Sequence, residues 1–256
     1  MATYLESKWD GLSPHLLATF FDVERTSATE FQPVADGVRV RAPFTGSVQV
    51  SMDPKWDSPF DSAGAESRAP TLMAMLQSGQ MQAIADAGQR VGVVSGDTAQ
   101  KSNQFLMQFA GRTGMTKLNS TQIFVGSDPM RIQGGLIFRA WNDALEEVEN
   151  PVDWLAQRAL PVQLSKDGSL VARGTLAAGG ELDAVSALMP SLAPSMIGMI
   201  YKGRCFYPLV IEQFAPDFGA PVNADGHFTH MQVQITLTSL AAIDREDWTN
   251  FRTLPF

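Results

Sequence analysis

The chain has 256 residues, of which 45% are hydrophobic and 18% are charged, and its formal net charge is −8. This hydrophobic content supports a packed core and excludes global disorder. The acidic balance argues against a dedicated nucleic-acid binder, which needs clustered Lys and Arg side chains to neutralise phosphates. Cys205 is the single cysteine, so no disulfide can form within the chain, and this favours synthesis in a reducing compartment. We expect neither a signal peptide nor a membrane segment, because no apolar stretch approaches roughly 18 residues.

Residues 1–36 show no clear hydrophobic period, and we predict an N-terminal docking segment there, with "HLLATFF" as a short docking element. Residues 37–52 then alternate in two runs, "GVRVRAP" and "GSVQVSMD". Pro43 to Gly46 lies between these runs, which predicts a hairpin.

Residues 53–114 differ in composition from the segments on either side. A Pro-, Ser-, Asp- and Gly-rich stretch is followed by two patterns with helical spacing. We predict a partly helical insertion here, placed within a β domain formed by residues 37–52 and 115–256.

From residue 120 onward the pattern is mostly that of strands. "TQIFVG" is one predicted strand, and "MRIQGGLIFRAW" is the next, with Ile132, Leu136 and Phe138 on one face. An acidic connector follows, and Asn150 and Pro151 suit the N-cap and the first position of a helix. The apolar residues of that helix recur at i, i+3, i+4 and i+7: Val152, Leu155, Ala156 and Ala159.

The later strands are marked by turns and by a long alternation. Asp167-Gly168 and Lys202-Gly203 each predict a tight turn between strands. The run from His227 to Thr238 alternates without interruption, which is the clearest strand signal of the chain. With a final helical turn at "DREDWTNF", these elements predict a β-rich α+β fold of eight or nine mostly antiparallel strands.

Residues with catalytic potential are few. His227 and His230 are three apart on a predicted strand and therefore point to opposite faces, which disfavours a shared metal. Cys205 lies in a predicted strand, where a small buried hydrophobe is a better interpretation than a catalytic thiol. The cluster Glu146, Glu147 and Glu149 is either an acid–base pair or a set of helix-entry carboxylates beside an N-terminal dipole, and the second is favoured. We therefore predict no enzymatic activity, no metal and no cofactor.

Two long segments resemble one family. "DPMRIQGGLIFRAWNDALEEVENPVDWLAQRALP" resembles the strand, acidic connector and Pro-initiated helix of the tube-initiating baseplate proteins of contractile phage tails. "GRCFYPLVIEQFAPDFGAPVNADGHFTHMQVQITLTSL" resembles the closing pair of strands of their tube-type β domain. The resemblance covers residues 118–245 and does not extend to the helical segment at 68–110.

The resemblance implies a tail-tube-like antiparallel β-sandwich or split barrel with one flanking helix. Six copies would form a ring whose sheets join edge to edge around a DNA channel. The lumen would be lined by the polar face of the last strand, which comprises Gln232, Gln234, Thr236 and Thr238. The connector that carries Glu146, Glu147 and Glu149 would contact a neighbouring subunit.

The implied partners are further copies of the chain together with tail-tube, hub and other baseplate proteins. DNA would only pass through the lumen, and the protein would be made in the bacterial host cytoplasm and would end in the virion. Two alternatives remain open at this point. One is a trimeric hub subunit, which should contain two tube-type domains, and the other is a tail-associated cell-wall hydrolase, which would need convergent acids in a cleft.

Overall fold

The computed structural model describes residues 2–27, 30–57, 121–164, 189 and 191–255. The chain divides into two compact units, one comprising Met1–Asp53 and Ser127–Phe256, the other Pro54–Gly126. In the second unit β5 (Pro54–Asp57) and β6 (Ile123–Ser127) form a two-stranded sheet, in agreement with the strand predicted at "TQIFVG". The helical patterns predicted within residues 53–114 and the turn predicted at Asp167-Gly168 lie outside the described residues.

The first unit is built on one mixed sheet of eight strands. Their bounds are β1 (Thr3–Glu6), β2 (Leu17–Arg25), β3 (Phe31–Pro33), β4 (Val38–Ser51), β7 (Arg131–Arg139), β8 (Met196–Tyr201), β9 (Arg204–Pro216) and β10 (His230–Ser239). The strand order is β1-β4-β7-β10-β9-β8-β2-β3, and every pairing is antiparallel except that of β1 with β4. Because β2 also pairs with β4, six of the strands (β4, β7, β10, β9, β8 and β2) form a closed cycle of pairings.

Helices are few and short in the described part of this unit. A 3-10 turn covers Pro14–Leu16, and a π-helical turn over Leu145–Glu149 leads directly into α1 (Asn150–Ala159). The last helix is α2 (Arg245–Asn250), at the helical turn predicted near the end of the sequence. The β-rich α+β class predicted from the sequence is therefore confirmed at this coarse level.

The core lies between the inward faces of the sheet and α1. Met231, Val233, Ile235 and Leu237 of β10 are all buried, as their alternation predicted. The predicted inward face of β7 joins the same cluster, as do Trp154 and three of the four predicted stripe residues of α1, Val152, Leu155 and Ala159. The fourth, Ala156, is half-buried and lies outside the cluster. Since each large apolar side chain contributes about 1.5–3 kcal/mol on burial, this cluster is the main source of stability. Arg158 binds Asp22 of β2 through two hydrogen bonds of 2.9 Å and thereby fixes α1 on the sheet.

The predicted hairpin in residues 37–52 is wrong, because these residues form the single 14-residue strand β4. Gly46 adopts a positive φ of 74°, and the register with β7 shifts between Thr45 and Gln49. The sequence signals that suggested a turn thus mark a bulge, which bends a strand without reversing it.

Residues 1–36 were expected to dock outside the β domain, but they contribute β1, β2 and β3 to its sheet. The strand β2 showed no period because it is buried on both faces. Phe20 packs into the main core, whereas Phe21 packs with Val23 and Cys205 in a second cluster. A strand that is covered on both sides reads as a continuous apolar run, and alternation cannot reveal it.

Of two local predictions, the turn at Lys202-Gly203 is confirmed and the N-cap at Asn150 is wrong. The turn at Lys202-Gly203 is confirmed, and both residues have the positive φ values, 49° and 72°, that a tight hairpin turn requires. Asn150 is not an N-cap, because Glu149 before it is already helical and the π-helical turn continues into α1. Pro151 is tolerated where the helix type changes.

Candidate assembly surface

The outer face of β10 carries the residues predicted to line a lumen. Gln232 and Gln234 are exposed and Thr238 is half-buried, whereas Thr236 is only 8% exposed. Thr236 is paired with Gln133 of β7 on one side and with Gln213 of β9 on the other. The polar face is therefore real, but it is wider than one strand.

Sequence analysis missed most of this face, because its residues come from four strands. On β4 the outward residues are Thr45 and Gln49, which pair with Gly135 and Gln133 of β7. Thr45 and Gln234 lie close together over Gly135, where a Cβ would be 2.8 Å from Thr45 Oγ1 and 2.9 Å from Gln234 Nε2. The same period-2 alternation in β4, β7 and β9 could have identified these residues once the strand order was known. We call this surface the polar face; its amide residues are Gln49, Gln133, Gln213, Gln232 and Gln234.

The charges on the polar face are largely balanced. Arg131 forms a salt bridge of 2.9 Å with Glu212, and both side chains are about half exposed. Thr238 donates a hydrogen bond of 2.6 Å to the other oxygen of Glu212. The face thus presents amides, hydroxyls and a neutralised ion pair rather than a phosphate-binding cluster of cations.

Both borders of the polar face are strand edges that lack a partner strand within the described residues. The second half of β4, Phe44–Ser51, is hydrogen-bonded to β7 alone, because its pairings with β1 and β2 end at Arg41 and Pro43. On the opposite border, β9 is paired with β8 only as far as Leu209, and from Val210 to Pro216 it pairs with β10 alone. At about 3.3 Å per residue, each open edge is roughly 23–26 Å long.

Glu147 of the acidic connector is buried within the chain, which differs from the exposed position that a predicted subunit contact needs. Its carboxylate accepts hydrogen bonds from the backbone N–H of Trp141 (2.6 Å) and Asn142 (3.1 Å) and from the Ser7 hydroxyl (2.9 Å). Burial opposes ionisation, but these donors outweigh it and hold the pKa of Glu147 below its usual value. Glu147 therefore shapes the connector and fixes it to the segment after β1.

Glu149 fixes the other end of the connector. Its carboxylate accepts the backbone N–H of Phe228 at 3.0 Å, and its second oxygen lies 2.9 Å from His227 Nδ1. Burial again acts to raise the pKa, while the Phe228 and His227 contacts lower it, and the net pKa is below the usual value. Glu147 and Glu149 are not arranged as an acid–base pair, because each carboxylate accepts hydrogen bonds that fix a different loop.

Glu146 is the exposed member of the predicted cluster, and two exposed apolar residues accompany it. Trp141 and Leu145 are 61% and 38% exposed. Asp143 accepts the backbone N–H groups of Leu145 and Glu146, so the exposed part of the connector is also held in place. Of the three predicted glutamates, only Glu146 has an exposed side chain.

The described residues were also compared with the requirements of a metal site, a reactive thiol and a membrane-spanning helix. No group of three His, Cys, Asp or Glu side chains in the described part of the chain could hold a metal ion. Cys205 is buried in β9, and burial raises the pKa of its thiol to about 12, which makes it a poor nucleophile. Within the same described ranges, no helix has the length and apolar character needed to cross a membrane.

No protein-family model and no curated protein matches the chain.

Proposed function

We propose that the protein is a structural component of a contractile phage tail baseplate, in which six copies form a ring that initiates or extends the tail tube around the central DNA channel. The observation that carries the proposal is a polar face bordered by two open strand edges. The family resemblance of residues 118–245 adds the context of a phage tail. The proposal assigns no catalytic role to the chain.

Open edges of this length are hazardous in a monomer, because each presents unpaired N–H and C=O groups to any other strand. They become useful when a second copy pairs with them. The β4 edge and the β9 edge are different surfaces, so pairing one with the other is a heterologous contact. Such a contact repeats around an axis and closes into a ring, in which the polar faces join into one continuous surface.

The size of the ring follows from strand spacing. Each copy contributes four strands to the joined surface (the open halves of β4 and β9, with β7 and β10). Six copies give about 24 strands, and at ~4.8 Å per strand the circumference is about 115 Å and the diameter about 37 Å, which leaves room for a DNA duplex. Three copies would give a diameter of about 18 Å, which inward side chains would close to a duplex. This arithmetic favours the hexamer over the trimeric hub.

The composition of the face suits passage of DNA. Amide and hydroxyl side chains hydrate well and do not neutralise phosphates, and Arg131 is paired with Glu212. With a net charge of −8 on each copy, a ring of this kind repels the DNA backbone and does not trap it.

Disulfide trapping tests the proposed ring contact. Each variant carries two introduced cysteines. One replaces Ser47, Gln49 or Ser51 on β4, and the other replaces Gln213 or Ala215 on β9. The two edges of one molecule are separated by three strand spacings, about 14 Å, which exceeds the reach of a disulfide. A bond between the edges therefore has to join two copies.

The expected product is a ladder of covalent oligomers that ends at six in at least one register, with rings visible by electron microscopy. The native Cys205 is buried and does not compete. A matched control carries exposed cysteines away from both edges, at Glu24 and Asp244, and should give no ladder. A chain that stays monomeric when mixed with tail-tube proteins, without any trapped oligomer, would overturn the proposal, and a ladder that ends at three would favour the hub.

A further inference from the structure

A cavity of about 460 Å³ opens at the end of the sheet where β7 begins. Its apolar wall includes Val48 and Val50 of β4 and Tyr201 of β8, and Lys202 and Arg204 lie beside them. This volume is within the ~300–1,000 Å³ of pockets that enclose a ligand or an anchoring side chain. Val50 is 39% exposed, so part of the apolar wall is accessible from outside.

Lys202 and Arg204 are the two cations beside the cavity. Neither Lys202 nor Arg204 forms a salt bridge with any residue of the described ranges. The Nη1 atom of Arg204 is buried and has no hydrogen-bond partner in the part of the chain that the structure describes. Aromatic rings position both groups, with the Arg204 guanidinium 4.9 Å from the Trp248 ring and the Lys202 ammonium 5.2 Å from the Tyr201 ring. The cavity therefore fits an apolar group that is accompanied by a carboxylate.

The exposed part of the connector has this chemistry. Trp141 and Leu145 supply the apolar surface and Glu146 supplies the carboxylate; we call these three residues the connector knob. The hydrogen bonds to Glu147 and Asp143 hold the backbone of the knob in a fixed shape. Arg139 lies 4.9 Å from the Trp141 ring and supports it from the end of β7. A preformed knob loses little conformational entropy when it binds.

The knob and the cavity of one molecule cannot meet. The cavity is lined by Ile132 at the start of β7, and the knob follows Arg139 at the end of that strand. Seven residue steps of strand, from Ile132 to Arg139, separate them by about 23 Å. The knob can therefore fill only the cavity of a second copy.

We propose that the connector knob of one copy docks into the cavity of another copy, and that this contact stacks one ring on the next. The stacking direction rests on the proposed function. Copies joined at the β4 and β9 edges point the same way around a rotation axis, so all their knobs lie at one end of the ring and all their cavities at the other. Edge pairing acts across the strands, whereas the knob contact acts along them, and Glu146 then binds Lys202 and Arg204 of the adjacent ring.

Complementation between two variants tests the contact. The knob variant is Trp141→Ala with Glu146→Lys, and the cavity variant is Lys202→Glu, which leaves the stacked Arg204 in place. The changed side chains border solvent, and circular dichroism and thermal unfolding verify that both variants fold like the wild type. Glu24→Lys is a matched control, because it makes the same charge change on β2, away from the knob and the cavity.

We expect wild-type protein and the control to form stacked rings, measured by sedimentation and electron microscopy. Each variant alone should form single rings, with the concentration needed for half-maximal stacking raised about ten-fold or more. An equimolar mixture should form pairs of rings, because one variant retains an intact cavity and the other an intact knob. Growth should stop at the pair, because the free knob lacks the Trp141 ring that the charge-swapped chain keeps. Glu146→Lys combined with Lys202→Glu in one chain should restore much of the stacking.

The outcomes separate this contact from the ring itself. If both variants stack like the wild type, or if wild-type rings never stack, the knob contact is overturned. A different result would separate the two proposals: no ring forms, but the wild type makes end-to-end dimers or chains, each variant alone abolishes them, and the mixture restores dimers. In that case the knob contact holds and the ring proposal fails. Binding of some other protein at an intact cavity, with no self-association under any condition, would overturn the contact between copies.

Discussion

The two halves of β4 have opposite surroundings. In Val38–Pro43, β1 pairs with one part of the strand and β2 with an overlapping part, and Val40 and Ala42 are fully buried. In Phe44–Ser51 the strand has β7 as its sole partner within the described chain, and most outward residues are exposed. We call them the closed half and the open half of β4.

The change between the halves occurs at the bulge around Gly46. Before it, the arginines of the strand are bound to β1, with the Arg41 guanidinium 3.9 Å from the Tyr4 ring and 3.5 Å from Glu6. After it, the outward residues are short or amide side chains that leave the backbone accessible. The comparison shows that the first half of the strand stabilises the fold, whereas the second half has one edge without a partner strand in the described residues.

The largest effect should come from the closed half. Phe20 of β2 pairs with Val40 and is fully buried in the main core, so Phe20→Ala should lower the free energy of unfolding by about 3–5 kcal/mol. Chemical denaturation measures the change. Leu160→Ala, at a side chain that is 60% exposed, is the control and should change stability by less than about 0.5 kcal/mol. A mild effect at Phe20 would contradict the assignment of the core.

Substitutions at two neighbouring glycines of β7 compare the apolar inner side of the open half of β4 with the polar face. Gly134 lies beside the inner side and Gly135 beside the polar face. A Cβ at Gly134 would lie 2.7 Å from the Phe44 ring, which packs at 5.1 Å against Tyr201 and cannot retreat freely. Gly134→Ala should therefore cost about 1–3 kcal/mol. Gly135→Ala meets the ends of Thr45 and Gln234, which can rotate away, and should cost less. Equal costs in thermal and chemical unfolding would contradict this distinction.

Glu147 links the closed half to the connector, because Ser7 follows β1. Glu147→Gln should destabilise the subunit by about 1–2 kcal/mol near neutral pH, since the charge-assisted hydrogen bonds are weakened. The pKa of Glu147 is lower in the folded state than its usual 4.5, so its contribution is present above about pH 4.5 and is lost as the pH falls through the folded-state value. Unfolding curves between pH 3 and pH 7 should show a shallower acid decline in the variant. An unchanged decline would assign the acid sensitivity to other groups, such as Glu149.

The smallest effect on stability, with the largest effect on assembly, is expected at the open edge. Gln49→Lys places a charge on the open half of β4, where it should change the free energy of unfolding by less than about 0.5 kcal/mol but should block edge pairing. Gln234→Lys makes the same substitution at a residue of β10 that is paired with β7 on one side and with β9 on the other, and rings should still form. Native mass spectrometry of the two variants compares them directly. Loss of rings in both variants would point to the charge of the lumen rather than to the edge.

The sequence determined those strands in which the alternation of apolar and polar residues corresponds to one buried face and one outward face. β7 and β10 each bury a single face, so their alternation predicted both the strands and their inward residues, and the Lys202-Gly203 turn followed from backbone chemistry alone. The alternation of β10 also indicated which of its polar residues face outward.

Only the tertiary structure decided the rest, because it depends on pairings between residues far apart in the chain. β2 was hidden from a period search by burial on both faces, and β4 was divided in error because a bulge carries the same glycine signal as a turn. Glu147 became a buried anchor only when the fold brought Ser7 to it from 140 positions away. The open edges are likewise a property of which strands found partners, and no short stretch of residues contains that information.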